Sequence, residues 1–251
     1  MPTYGGNVHL DAAMMFSVGA ARACDVVWGE GRSSHPEHSF NECWVEALNK
    51  RQMHGLTHFA MLHADVVPEP YWLDKLVAEL EQHDADFLSA IIPIKTAAGH
   101  TSTAIATAQD PKLPNVDRVL TVREAHRLPV TFGPEQFPGK LLLMNTGCFV
   151  CRFDRDWNHK IAARAHTWIK GGNGYAARLF PSDWDMSWQL AKLGCKVLAT
   201  RVVELYHTAD PSGRTRNPGV WRNPDVPATF DFARTRIPGD ILTTGLSGSR
   251  C

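Results

Sequence analysis

Residues 57–65 are Thr-His-Phe-Ala-Met-Leu-His-Ala-Asp, and this stretch says most about the fold. The apolar run at 57–62 predicts a short buried strand, which His63, Ala64 and Asp65 bring to an end. Prolines at positions 68 and 70 then open a helix predicted to continue to about residue 82, with its leucines on one face. Open α/β sheets bind ligands beyond the carboxyl ends of their parallel strands, so we expect these polar residues in a ligand site.

Strand-like and helix-like segments alternate on both sides of this stretch, which predicts an α/β fold. Upstream, the pattern predicts a helix within 8–24, a strand at 25–28 and a helix at 40–53. Downstream, it predicts strands at 86–94 and 101–107, a loop-rich region at 108–136, β-structure at 139–153 interrupted at 145–147, and a helix at 157–168. Three glycines in 170–174 are typical of a mobile loop over a site.

A helix is expected at 182–193, capped by Ser182 or Asp183 and ended by Gly194, and a strand at 196–206 then leads to His207. The elements together predict one mixed, mostly parallel sheet flanked by helices. We expect one domain over residues 1–207 and an extended tail, rich in Pro, Gly and Arg, packed on it over 208–251.

The composition is that of an ordinary globular protein. The 251 residues are 44% hydrophobic and 21% charged, with 26 basic and 26 acidic side chains, which excludes intrinsic disorder, collagen and a disulfide scaffold. The zero net charge hides an asymmetry, because residues 1–125 hold 9 basic and 16 acidic side chains and residues 126–251 hold 17 and 10. A basic second half fits a polyanion such as nucleic acid, although scattered surface arginines would give the same count.

The sequence gives no sign of a membrane span or a signal peptide, because no window approaches about 20 apolar residues. We therefore expect a cytoplasmic protein, in the host cytoplasm if it is phage-encoded. Among six cysteines, Cys148 and Cys151 have metal-like spacing. They lie in a strand-like run where positions three apart face opposite sides, which argues against a shared metal or redox site.

Several short motifs, in order, carry a resemblance. They are Pro-Thr-Tyr-Gly-Gly at 2–6, His-Ala-Asp at 63–65 with the segment 66–72, Asn-Thr-Gly-Cys at 145–148, Ser-Asp-Trp-Asp at 182–185, and the strand leading to His207. In this order the motifs resemble nucleotide-sugar-dependent glycosyltransferases of the GT-A fold, in particular the family-2-like enzymes of phages and bacteria. The resemblance spans most of the chain and implies a Rossmann-like sheet.

The resemblance implies a metal site at the end of the strand at 57–62. An Asp-x-Asp motif binds ribose and metal in that family, so Asp65 corresponds to its metal-binding carboxylate, and His63 stands where the first carboxylate would be. His207 corresponds to a late-strand histidine that many members use as a ligand. A site of carboxylate and imidazole suits Mn²⁺ better than Mg²⁺. The alternatives are a helix cap for Asp65 and a packed or surface histidine for His207.

The family also places a general base at a helix start beneath the acceptor. Asp183 corresponds to it, and Asp185 is the second choice; a helix N-terminus would keep either one ionised at neutral pH. The alternative is that both are first-turn capping carboxylates. Thr146 and Gly147 are candidates for acceptor or sugar contacts. Trp184 could form a platform for a sugar or base with Trp188, or both could belong to a buried helix face.

The nucleotide is expected to contact residues that follow the early strands. The resemblance implies Thr3 and Tyr4 for the base, with Glu30 to a uracil and Arg32 to a phosphate. His63 could hydrogen-bond the ribose, and Lys95 is a further phosphate candidate. The alternative for Glu30 and Arg32 is that they are solvated loop charges.

The resulting expectation is a metal-dependent, inverting glycosyltransferase that uses a UDP-sugar. Its acceptor is expected to be 5-hydroxymethylpyrimidine in DNA, with a glycan, lipid or protein as alternatives. Two other functions stay open: a catalytically silent GT-A-like nucleotide- or carbohydrate-binding protein, and a sugar-phosphate nucleotidyltransferase. The latter is disfavoured because Gly5, Gly6 and Asn7 lack the basic residues that its glycine-rich loop requires.

Overall fold

A computed structural model describes residues 8, 10–31, 33, 35–94, 99–108, 113–171, 174 and 176–208. Four of the expected donor-binding residues, Thr3, Tyr4, Arg32 and Lys95, lie outside the described residues, and so does the predicted tail from residue 209 onward.

The described residues form a mixed α/β protein. Its α-helices are α1 (Leu10–Ser17), α2 (Pro36–His54), α3 (Trp72–Gln82), α4 (Val122–Arg127) and α5 (Ser182–Lys192). The strands are β1 (His58–Leu62), β2 (Val66–Pro68), β3 (Phe87–Ala90), β4 (His100–Thr107), β5 (Asn115–Thr121), β6 (Thr131–Phe132), β7 (Leu141–Leu143), β8 (Cys148–Arg152), β9 (His166–Lys170), β10 (Ala176–Phe180), β11 (Val197–Thr200) and β12 (Leu205–His207).

The main sheet has the strand order β1-β8-β3-β11-β6. Only β3 and β11 pair in parallel, and the other three pairings are antiparallel. The prediction of a mostly parallel sheet is therefore wrong for strand pairing, because most neighbouring strands of this sheet pair antiparallel. Because β8 pairs antiparallel with both β1 and β3, β1, β3 and β11 nevertheless run in one direction, and their carboxyl ends share one edge of the sheet.

Three smaller sheets complete the described fold: β5-β4-β7, β2 with β12, and the antiparallel hairpin β9–β10. The hairpin replaces the second half of the helix predicted at 157–168, where only a 3-10 helix forms at Asp156–Lys160. The reason lies in β9, whose sequence His-Thr-Trp-Ile-Lys has the β-branched and aromatic residues that favour strands. The predicted glycine loop accordingly connects the two strands of a hairpin.

Three other expectations about elements are corrected. Residues 25–28 form no strand, although Val26 packs against the core. The region 108–136 contains β5, α4 and β6, with α4 started by a reciprocal capping box between Thr121 and Glu124. The long strand predicted at 196–206 is divided into β11 and β12, which belong to different sheets.

The core lies on both faces of the main sheet, and β8 alternates between them. Phe149 and Cys151 join the aromatic cluster beneath α2, while Cys148 and Val150 pack with the leucines of α3. The prediction that Cys148 and Cys151 face opposite sides is confirmed. Burial raises the pKa of both thiols, so neither has the thiolate character of a metal ligand or redox group.

In the part of the chain that the structure describes, none of the helices combines the length and the apolar character needed to cross a membrane.

Candidate functional site

The site begins with the pair Asp65 and His207. Nε2 of His207 lies 3.0 Å from Oδ2 of Asp65, and the carbonyl of Asp65 accepts hydrogen bonds from the Thr208 backbone N–H (2.8 Å) and hydroxyl (3.0 Å). The antiparallel register of β2 and β12, which sets His207 opposite Val66, creates this contact. The Asp65 side chain is 37% exposed and that of His207 is 20% exposed, so both can reach a ligand.

The predicted turn at 145–147 lies against His63. The backbone N–H of His63 donates to the Gly147 carbonyl at 2.8 Å. A Cβ on Gly147 would stand 2.6 Å from Cδ1 of Ile92 and 3.5 Å from Nδ1 of His63. A side chain at position 147 would therefore crowd Ile92 and stand next to the His63 ring, whereas glycine lets the turn pack closely against both. Thr146, next to it, is half-buried.

Asn145 holds the turn in place, and the sequence analysis did not single it out. Its side-chain amide donates to the Ala90 carbonyl at 2.8 Å and accepts from the Gly147 N–H at 3.0 Å. Its own carbonyl accepts from the Ser89 hydroxyl at 2.8 Å. Asn145 is buried, and a buried amide with these partners defines the turn geometry. An asparagine directly after the apolar run Leu-Leu-Leu-Met was the signal for it.

Helix α5 joins this turn through two polar links. Ser187 Oγ accepts from the Met144 N–H and donates to the Asp183 carbonyl, both at 2.9 Å. Trp184 Nε1 donates to the Ser102 carbonyl at 3.0 Å, and the Ser102 N–H donates to the carbonyl of Ile92, the residue beside Gly147. The structure thus connects the helix start to the turn next to His63.

Asp183 is the titratable group with the clearest perturbation at this helix start. Burial raises the pKa of its carboxyl to about 7, although Oδ1 accepts a 2.9 Å hydrogen bond from the Trp184 N–H. The expectation that the helix N-terminus keeps this carboxylate fully ionised at neutral pH is wrong, because desolvation outweighs the helix. A carboxyl with a pKa near 7 is suited to general acid–base chemistry.

Asp185 occupies a different environment, 1% exposed. Its carboxylate accepts from Arg164 Nε at 3.0 Å and from Gln189 Nε2 at 2.7 Å, and His166 Nε2 lies 2.9 Å from Oδ1. Through these hydrogen bonds, Asp185 links α5 to β9 and to the residues that precede β9. The geometry supports a structural role for Asp185 and leaves Asp183 as the better placed candidate base.

The remaining candidates are dispersed. Glu30 is exposed on the segment before α2. Trp188 is buried with Lys192 over its ring at 4.9 Å, while the Trp184 ring meets Phe180 at 6.1 Å. The expected platform of Trp184 with Trp188 is therefore not formed, and Trp188 belongs to the core.

A divalent cation fits the Asp65 and His207 pair only with help from a substrate. The described residues hold no group of three or more His, Cys, Asp or Glu side chains arranged for a metal. Two protein ligands are still a suitable set when phosphate oxygens complete the coordination, as is common for cations bound with nucleotides. These two residues, one carboxylate and one imidazole, are the pair that would hold Mn²⁺ or Mg²⁺.

A cavity of about 560 Å³ lies elsewhere, at the amino end of β1 between α2 and α3. Its lining includes Cys24, Trp28, Cys43 and His58 and none of the residues around the Asp65 and His207 pair. The candidate side chains Asp65, His207 and His63 lie instead at the carboxyl end of β1.

No family model and no curated protein matches the chain. Among solved structures, the chain is similar to the crystal structure of A197 from STIV, with 15% sequence identity, a TM-score of 0.47, and coverage of 83% of each chain. It is also similar to a crystal structure of apo UDP-glucose pyrophosphorylase, with 12% identity, a TM-score of 0.31, and coverage of 65% of this chain and 54% of that one. Likenesses at this level identify no activity for this chain.

Proposed function

We propose that the chain is a glycosyltransferase of GT-A type that moves a sugar from a UDP-sugar to an acceptor hydroxyl, with inversion and with Mn²⁺ or Mg²⁺ bound. The observation that carries the proposal is the Asp65 and His207 pair, with 3.0 Å between Nε2 and Oδ2, on the segment whose His63 is hydrogen-bonded to Gly147. The ordered sequence motifs support the same reading. The pair offers a cation site that a diphosphate would complete.

The chemistry assigns one role to each group. A divalent cation held by Asp65 and His207 would supply positive charge to stabilise the leaving diphosphate. Asp183 takes the proton of the acceptor hydroxyl as that oxygen attacks the anomeric carbon. The bond between the anomeric carbon and the phosphate oxygen breaks, and UDP leaves with its electron pair.

The proposed acceptor is a 5-hydroxymethylpyrimidine in DNA. Its support is the basic second half of the chain, with 17 basic and 10 acidic side chains over residues 126–251. A polyanionic acceptor meets such a surface favourably, and glycans, lipids and proteins do not in general share this charge. The acceptor hydroxyl of such a base is the group that Asp183 would deprotonate.

A catalytically silent nucleotide-binding protein is the second candidate. It is favoured by His63 in the place of a carboxylate and by the two-ligand set among the described residues. This candidate predicts that a nucleotide sugar binds without turnover, whereas the transferase predicts slow release of UDP even without an acceptor.

The test is a thermal-shift and hydrolysis screen of nucleotide sugars with and without Mn²⁺. We expect a UDP-sugar to raise the Tm only when Mn²⁺ is present, because a ligand that binds the folded state stabilises it. We also expect UDP release that Asp65→Ala and Asp183→Ala abolish. Full activity in both variants would reject the assigned roles. Binding without UDP release would favour the silent protein.

A further inference from the structure

The hairpin β9–β10 presents two chemically different faces. Its antiparallel register places Trp168 opposite Arg178 and Ile169 opposite Ala177. Because side chains alternate across a strand, Trp168 and Arg178 lie on one face, whereas Ile169 and Leu179 lie on the other. Trp168 is 44% exposed, Ile169 76% and Leu179 61%, and Arg178 is also exposed. Exposed groups of this size on a short hairpin are typical of an interaction surface.

The sequence around the hairpin carries basic side chains and no acidic ones. Residues 161–181 contain no Asp or Glu, and they contain Arg164, Lys170 and Arg178 together with His166. The Arg164 guanidinium is already paired with Asp185 at 3.0 Å. Arg178 is exposed on β10, on the face that carries Trp168.

The base of the hairpin is fixed to the candidate site. Phe180 is 3% exposed and packs with Trp184, and Asp185 bonds Arg164 and His166 at the start of β9. Only Pro181 and Ser182 separate the end of β10 from Asp183. A partner lying along the hairpin would consequently extend toward Asp183.

We propose that the hairpin β9–β10 is a nucleic-acid docking element, with Arg178 against backbone phosphates and Trp168 stacked on a base. The proposal deepens the transferase function above and rests on it for the identity of the acceptor site. A cation and an aromatic ring on one face are the combination that binds unpaired nucleic acid, where phosphates and exposed base faces alternate. An enzyme acting on a base must also bring that base out of the stack, and an aromatic side chain supports the vacated step.

An anionic membrane is the competing partner for a basic, aromatic hairpin. A hairpin that inserts into lipid needs its apolar residues at the tip. Here the sequence between the two strands, 171–175, is Gly-Gly-Asn-Gly-Tyr and has no aliphatic residue, while Ile169 and Leu179 lie along the strands. The position of the charges and glycines favours nucleic acid.

The test measures binding of fluorescein-labelled DNA by the whole chain, using an unmodified duplex of about 30 base pairs and the corresponding single strand. One phosphate contact from Arg178 predicts that duplex affinity falls at least about threefold between about 50 and 200 mM salt. Arg178→Glu should weaken binding at least about tenfold at low salt and lower the slope of log affinity against log salt by about 1. Trp168→Ala should weaken single-strand binding by about tenfold, from the lost stacking.

The matched control is Arg123→Glu, a charge reversal of an exposed arginine on α4, which packs against β5. Once the loss of affinity caused by the change in net charge alone is allowed for, the DNA affinity of Arg123→Glu should stay within about twofold of wild type. Thermal unfolding confirms that each variant is folded, and Arg178→Gln replaces Arg178→Glu if the reversal unfolds the chain.

The proposal would be overturned if Arg178→Glu and Arg123→Glu lowered DNA affinity equally, or if DNA binding did not depend on salt. It would also be overturned if the wild-type protein did not bind DNA, or if it bound phosphatidylglycerol vesicles through Arg178 and did not bind DNA. A concentration-dependent dimer abolished by Ile169→Ser, with no effect of Arg178→Glu on DNA, would assign the hairpin to self-association. UDP release from a UDP-sugar without DNA separates the two hypotheses. DNA binding without UDP release would reject the transferase function and leave the docking proposal standing. UDP release without DNA binding would reject the docking proposal alone.

Discussion

The imidazole Nε2 of His207 lies 3.0 Å from the carboxylate Oδ2 of Asp65, although 142 positions separate the two residues in the chain. The pairing of β2 with β12 sets this distance, since Tyr206 lies opposite Val67 and His207 opposite Val66. A shift of one residue in this register would turn His207 to the other face of the sheet. The chemistry proposed for the pair therefore depends on one short antiparallel ladder.

Replacing either member of the pair should remove Mn²⁺-dependent donor binding. Asp65→Asn and His207→Gln are each expected to weaken binding of a UDP-sugar by about tenfold or more in the presence of Mn²⁺. Because both act on one cation, the double variant should lose little more than either single variant. Calorimetric titration of the four proteins measures the cycle. Asp154→Asn is the control, since that carboxylate is 57% exposed and 3.7 Å from Arg155. Additive losses would show that the two side chains act separately.

The activity should follow the ionisation of Asp183. Burial raises the pKa of this carboxyl to about 7, so the rate of transfer is expected to rise with pH and to level off above about pH 7. Asp183→Asn should lower kcat roughly 10²–10⁴-fold and abolish this rise. A pH–rate profile with saturating donor measures it. An unchanged profile in the variant would transfer the role of base to another group.

The same shift makes a prediction about stability. The pKa is raised from 3.8 to about 7 in the folded protein, so the unfolded chain releases the proton first as the pH rises. The contribution of Asp183 to stability is fully present below about pH 4 and is lost as the pH rises through about 7. Asp183→Asn should therefore raise the Tm by roughly 2–5 °C at pH 8 and by little at pH 4. Thermal unfolding at both pH values checks the sign, and a larger gain at pH 4 would contradict it.

Removing the Asp185 carboxylate should destabilise the protein. Asp185→Ala takes the acceptor from Arg164, His166 and Gln189, and the free energy of unfolding should fall by about 1–3 kcal/mol. The cost stays moderate because Arg164 is 52% exposed and can be solvated. Urea unfolding measures the change, and Asp154→Ala, with its exposed carboxylate, should change stability by less than about 0.5 kcal/mol.

Substitution of Gly147 tests whether the turn at 145–147 needs glycine for packing or for ligand binding. In Gly147→Ala the new Cβ would stand 2.6 Å from Cδ1 of Ile92, and the overpacking should cost about 1–3 kcal/mol. Ile92→Val removes Cδ1, so Gly147→Ala combined with Ile92→Val should be about as stable as Ile92→Val alone. If donor affinity stays low in this relieved double variant, the space beside His63 is part of the binding site. Full recovery of affinity would show that glycine serves packing only.

Local patterns were enough to predict several elements. The apolar run at 57–62 predicted β1, the leucine spacing after residue 70 predicted α3, and Gly194 predicted the end of α5. Gly194 has φ of +73°, a conformation that glycine adopts without strain. These predictions succeeded because each depends on residues within a few positions of one another. Pro68 does not open the helix as expected: it ends β2, and α3 begins at Trp72. The helix predicted at 157–168 is wrong over its last residues, because the β-branched and aromatic residues of β9 favour a strand.

The sequence by itself determined the mixed α/β class, the identity of the candidate groups Asp65, His207 and Asp183, and the opposite facing of Cys148 and Cys151. Only the tertiary structure decided which strands pair antiparallel, that Asp65 meets His207, and that Asp183 has a raised pKa while Asp185 is occupied by three partners. The physical reason is the distance along the chain over which each interaction acts. Periodicity, capping and turn chemistry act between near neighbours, whereas strand register and desolvation arise from segments that the chain brings together from far apart.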